Sequence, residues 1–145
     1  MVTRTIGAEP DAEALNARAA CTDVINATYR LVDEKRATSS VQLYTEDAVM
    51  ELNGNVLGTE AIAGAMESRE ADDIQRVHIP AQTDFWLEAP YKAHAVTLLH
   101  VYYLAQDPTV IPPPKTLTRV DDTLTRSADG VWRVARRAVT VLAGG

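Results

Sequence analysis

Arg76-Val77-His78-Ile79-Pro80-Ala81-Gln82-Thr83-Asp84-Phe85-Trp86 reads as a strand, and the rest of the chain is organised around it. It carries His78. A functional reading of that histidine needs a second residue far away in sequence, Asp33, near the end of a long helix. If the two meet, they form a carboxylate–imidazole pair at the floor of a pocket.

Three longer strands follow. Lys92 to Ala105 is rich in Val, Leu, Tyr and Thr. Thr116 to Arg126 alternates around Leu117, Val120 and Leu124, and Val131 to Leu142 carries Trp132, Val134, Val139 and Val141. Asp129-Gly130 is a hairpin turn between the last two. Gln106 to Lys115, with Pro108 and Pro112-Pro113-Pro114, is a loop long enough to be a lid or an interface arm. Ala143-Gly144-Gly145 is expected to be loose.

Upstream, residues 1–8 read as a frayed leader. Pro10-Asp11 begins a helix, with Asp11 and Glu13 suiting its positive end. Leu15, Ala19, Thr22, Ile25, Tyr29 and Val32 recur at helical steps, and Cys21, Val24, Thr28 and Leu31 widen that buried face. Asp33 follows Val32; the rival reading is a solvated acid in a charged last turn. Thr38-Ser39-Ser40 caps a short helix containing Val41, Leu43 and Tyr44. Asp47 to Leu52 reads as a strand, Asn53-Gly54 as a hairpin turn and Val56-Leu57 as the return strand. Gly58-Thr59 opens another helix with Ile62, Ala63 and Met66 buried, closed by the acidic 70–73.

Helices first and antiparallel strands last argue an α+β domain with the helices on one face of a curved sheet. Strands apolar on both faces imply two covered faces: one holding the helices and a pocket, the other meeting a second subunit. The chain has 145 residues, about one domain. Its net charge is -6, with no basic cluster, which argues against nucleic-acid binding. Cys21 is the only cysteine, so no internal disulfide forms. No signal peptide is visible, and no apolar run approaches the roughly 18 residues of a membrane span, so a cytoplasmic protein is expected.

Several landmarks occur in a familiar order: the long helix, Leu43-Tyr44-Thr45-Glu46-Asp47-Ala48 into a strand, Gly58-Thr59-Glu60-Ala61-Ile62 into a helix, the His78 strand, and Asp129-Gly130-Val131-Trp132-Arg133-Val134. Together they resemble the SnoaL-like branch of the nuclear-transport-factor-like superfamily over roughly residues 12–142, within a single domain spanning 1–145. The resemblance implies a cone: a strongly curved, mostly antiparallel sheet wrapped around a long N-terminal helix and two shorter helices, enclosing a pocket. Scytalone-dehydratase-like and dehydrochlorinase-like members share a catalytic Asp–His pair, and Asp33 and His78 match those two positions.

Abstracting a proton beside a carbonyl or leaving group needs a base active near neutral pH, and imidazole is one. Asp33 holds one ring nitrogen and stabilises the imidazolium. Tyr29, one helical turn before Asp33, and Tyr44 are candidate donors to the oxygen that gains charge, with core packing as their rival role. Trp86 is a candidate pocket wall. His94 and His100 share a strand face but lie roughly 20 Å apart, too far to bind one metal, and no metal or cofactor is expected. Arg119 and Asp121 offer a weaker, epoxide-hydrolase-like pattern. Asp122 faces the other way, and one of Arg136 and Arg137 is expected to pair with an acid on a neighbouring strand. Cys21 reads as a small core residue.

The sequence thus points to a cofactor-independent lyase or isomerase of the dehydratase type, acting on a small, mostly apolar cyclic substrate in a homodimer or higher homo-oligomer. The alternatives are a non-catalytic binding or assembly subunit, like the small subunits of ring-hydroxylating dioxygenases, and a polyketide-cyclase-like enzyme.

Overall fold

The computed structural model describes residues 5–145; of the leader read over 1–8, residues 1–4 lie outside it. Helix α1 spans Ala12–Asp33 and is followed by a 3-10 helix, Ala37–Leu43. Strands β1 (Tyr44–Leu52) and β2 (Asn55–Leu57) form the first hairpin, and helix α2 (Thr59–Ala71) leads into β3 (Arg76–Ala89), β4 (Lys92–Tyr103), β5 (Thr116–Arg126) and β6 (Trp132–Gly144). The six strands make one curved sheet in the order β2-β1-β6-β5-β4-β3, an α+β cone. All pairs are antiparallel except β1 with β6.

Asp11 caps α1 by accepting from the Ala14 N–H at 2.8 Å, which satisfies one donor of the first turn. The buried stripe of α1 runs through Ala17, Cys21, Ile25, Thr28, Tyr29 and Val32. Leu15, expected in that stripe, is 54% exposed. It lies two residues, about 200° of rotation, from Ala17, and Ala17 and Cys21 present the small-residue face to the core. Two other expectations shift at element ends. Tyr44 begins β1 instead of ending the short helix. Ala143 and Gly144 are not loose but continue β6, pairing with Leu117 and Thr116.

On the concave side, Ala93, Ala95, Thr97 and Leu99 of β4 and Thr118, Val120, Asp122 and Leu124 of β5 are buried with α1 and α2. The β5 alternation therefore runs on even numbers, and Leu117 is only half-buried. Pro80 sits in β3, an edge strand, beside a bulge at Ala81, where its missing N–H breaks no ladder bond within the sheet.

One corner holds the site in place. Lys35, just past α1, adopts a left-handed backbone with φ 61°, strained for a residue other than glycine. Its ammonium donates to the Asp72 carbonyl at 2.6 Å, the Asp72 carboxylate at 2.9 Å and the Arg69 carbonyl at 3.3 Å, closing the C-terminal end of α2. Asp72 in turn takes a two-pronged grip from Arg76, at 3.0 and 2.6 Å. The ends of α1 and α2 and the start of β3 are thereby tied together. The Arg76 guanidinium, and after it the Lys35 ammonium, hold the Asp72 carboxyl well below the usual carboxylate range. A carboxyl lowered by folding contributes stability above its unfolded-state value, about pH 4, and loses it as pH falls toward the folded-state value. Asp72→Asn is therefore expected to lower the melting temperature at pH 7. The gap to the native protein should close on acidification below about pH 4, measured by thermal melts across pH; a gap independent of pH contradicts the clamp.

Candidate active site

The corner places the last residue of α1 against the third residue of β3. Both oxygens of Asp33 are used on one residue: Oδ2 accepts from the His78 backbone N–H at 2.8 Å, and Oδ1 lies 2.6 Å from His78 Nδ1. Gln75 donates to the Asp33 carbonyl at 2.7 Å and steadies the helix end from behind. Asp33 is thus not a solvated last-turn acid. Binding through Nδ1 leaves Nε2, on the far side of the ring, as the nitrogen without this partner. His78 lines a half-open cavity of about 300 Å³, whereas Asp33 stands behind it.

Tyr29 stacks on the His78 ring, with centroids 5.4 Å apart and planes 21° apart. Its hydroxyl is buried and, among the described residues, has no hydrogen-bond partner. A phenol that is both buried and unsatisfied carries a desolvation cost that a bound acceptor can relieve. Burial raises the Tyr29 phenol well above its ordinary value, only partly offset by Arg137, so it is a donor and not a phenolate. Tyr44 also lines the cavity, and burial likewise raises its phenol.

The floor carries a group that strand alternation hides. Arg137 is 4% exposed and grips Asp122, itself 2% exposed, through Nε at 2.7 Å and Nη2 at 3.0 Å. Its Nη1 donates to Thr28 Oγ1 at 3.0 Å and to the Tyr44 hydroxyl at 3.2 Å, and its guanidinium lies 4.8 Å over the Tyr29 ring. Burial alone would pull this guanidinium down; the Asp122 carboxylate, with Tyr29 and Tyr44, outweighs it and holds Arg137 well above its ordinary value. Counting by twos from Trp132 and Val134 would aim Arg136 inward. A bulge at Ala135, where β5 steps from Thr123↔Arg136 to Leu124↔Val134, reverses the parity and turns Arg137 in. Arg136 points outward to Glu51 at 2.7 Å, so both arginines pair with acids on neighbouring strands.

The other candidates fall elsewhere. Trp86 does not reach the cavity: it stacks on His94 at 5.3 Å and lines a cleft between β3 and the N-terminal segment. A residue eight positions along an extended strand from His78 is about 26 Å away. His100 stacks on Tyr102. Arg119 and Asp121 pair with each other at 3.1 Å on the exposed outer face, away from the cavity. Cys21 is buried, and burial pushes its thiol up to about 12, so it is inert core. Among the described residues, no group of three or more His, Cys, Asp or Glu is arranged to hold a metal ion, and no helix is long and apolar enough to cross a membrane.

The chain is thus a curved-sheet α+β cone with a half-open cavity and an acid–imidazole pair at the cavity edge. Residues 13–138 match the SnoaL-like domain model, and the chain belongs to that family, whose members include dehydratases, isomerases and cyclases. No curated protein matches the sequence. Among solved structures, the chain is similar to a provisionally named scytalone dehydratase from Novosphingobium aromaticivorans, with 14% identity, 89% of this chain and 86% of that one covered, and a TM-score of 0.76. It is also similar to Aln2 from a Streptomyces species, with 18% identity, 92% and 94% covered, and a TM-score of 0.77. A third is ActVI-ORFA from Streptomyces coelicolor, with 20% identity, 88% and 98% covered, and a TM-score of 0.73.

Removing one partner of a buried ion pair leaves a desolvated charge, at a cost of about 3–5 kcal/mol. Asp122→Ala is expected to lose stability on that scale in urea denaturation. Asp122→Leu combined with Arg137→Met is expected to recover most of it, because the uncompensated charge is gone. If the double variant is as unstable as the single one, the floor is held by shape and not by charge.

Proposed function

We propose that the protein is a cofactor-independent lyase or isomerase in which His78 is the general base and Asp33 its partner. The observation that carries this reading is the 2.6 Å contact between Asp33 and His78 Nδ1 at the edge of the cavity. His78 takes a proton from carbon beside a carbonyl through Nε2, and Asp33 stabilises the resulting imidazolium. The electron pair moves toward the carbonyl oxygen, which becomes an enolate. Tyr29, whose hydroxyl lacks a partner among the described residues, donates to that oxygen, and Tyr44 and Arg137 add positive potential from the floor. In a dehydration the enolate re-forms its carbonyl, the β-carbon–oxygen bond breaks, and the leaving hydroxide takes the imidazolium proton as water. In an isomerisation the same proton returns to a different carbon. Both reactions balance with no other reactant.

A cavity of about 300 Å³ is at the small end for ligand sites, and its walls include Val32, Leu99, Val101 and Val120. That favours a one- or two-ring substrate. The outer face of β4, with Val96, Leu98 and Tyr102 half-buried, is the surface where a second copy would pack in a homodimer.

Screening β-hydroxy cyclic ketones and β,γ-unsaturated cyclic ketones for water loss or double-bond migration tests the proposal. His78→Ala is expected to lower kcat by about 10²–10⁴, and Asp33→Asn to lower it as well. Full turnover by both variants on a substrate of the native protein removes the assignment.

A further inference from the structure

We propose that the substrate carries a carboxylate and that Arg69 is the residue that binds it, an inference that rests on the cavity being the substrate site. The cavity wall is one-sided in charge. Arg69, Arg76 and Arg137 line it together with His78, and none of the lining residues is Asp or Glu. Two of the three guanidiniums already have a carboxylate in a two-pronged grip: Arg76 holds Asp72, and Arg137 holds Asp122.

Arg69 has none. The one hydrogen-bond-range contact of its guanidinium among the described residues is Nη1 to Met66 Sδ at 3.9 Å, a weak acceptor on its own helix. Asp72 is near enough to act on it, but that carboxylate is already committed to Arg76, Lys35 and the Ile74 N–H. Arg69 is half-buried, and burial, followed by the neighbouring Arg76 charge, lowers it from its ordinary value. A guanidinium held in a cavity wall beside a second guanidinium, with no anion of its own, is an unfavourable arrangement in the empty protein. A carboxylate from the ligand completes it with the fork geometry arginine offers.

A cation in the last turn of α2 also suits the helix dipole. That role is served equally by a solvated side chain and calls for neither burial in the cavity nor approach to Arg76. The ligand class that follows is a small cyclic acid, its carboxylate on Arg69 and its ring against the apolar wall. It refines the mostly apolar substrate expected from sequence.

Equilibrium binding of benzoate and of its neutral isostere benzamide, by NMR titration or calorimetry at pH 7, tests this without turnover. The native protein is expected to prefer benzoate by about tenfold or more, the size of a charge-assisted bond. Arg69→Gln should reduce that ratio to near one, while Arg119→Gln, on the outer face, leaves it intact. Arg69→Lys, which keeps the charge and loses the fork, should retain part of the preference and serves if the glutamine variant does not fold. His78→Gln should keep the benzoate preference, so loss of the base and loss of the anion site are separately visible. No binding of benzoate, equal binding of the two probes, or a preference that survives Arg69→Gln overturns the assignment.

Discussion

One carboxylate holding one residue by two bonds is the constraint on which the site depends. Asp33 takes both the backbone N–H and the ring nitrogen of His78, so its two oxygens fix the strand's position and the imidazole's orientation together. Helix α1 ends at that residue, and β3 begins two residues before its partner. Neither end is left to find the other by packing alone. Lys35, Asp72 and Arg76 form a chain of charge-assisted bonds that locks the ends of α1 and α2 to the head of β3. The left-handed backbone at Lys35 is the conformational cost of reaching α2 so soon after α1 stops.

The second constraint is electrostatic. The curved sheet, α1 and α2 border a cavity whose floor is a buried guanidinium and whose lining includes no acid. Asp122 neutralises Arg137 from behind, as Asp33 supports His78 from behind. In both cases the carboxylate sits outside the lining and the cationic or basic partner faces in. A cavity built this way presents positive potential to whatever occupies it.

Much of this was legible in the sequence. The Asn53-Gly54 and Asp129-Gly130 turns form with positive φ at Asn53, Gly54 and Gly130. The helical periodicity that buries Tyr29 and Val32, and the strand carrying His78, fall where local pattern placed them. The pairing of Asp33 with His78 came from resemblance to a family and not from periodicity, since the two are 45 residues apart. What stayed hidden was non-local or parity-dependent. The parallel β1–β6 pair joins opposite ends of the chain. The Ala135 bulge exchanges Arg136 and Arg137, and a single inserted residue leaves no trace in alternation. Arg69 lies on a helix with little amphipathic pattern, so nothing in its neighbours marks it as a wall residue. Leu15 shows the opposite failure: apolar character suggested burial, and helix rotation placed it at the surface, while Trp86 lines a cleft away from the His78 cavity.

The central claim is that Asp33 fixes His78 in the tautomer whose free nitrogen is the base. Nitrogen-15 NMR of the imidazole at a pH where the ring is neutral reads this directly. A proton on Nδ1, with Nε2 showing the shift of a bare, pyridine-like nitrogen, and loss of that bias in Asp33→Asn, is the result the geometry requires. A proton on Nε2 in the native protein would leave no base facing the cavity and would contradict the account.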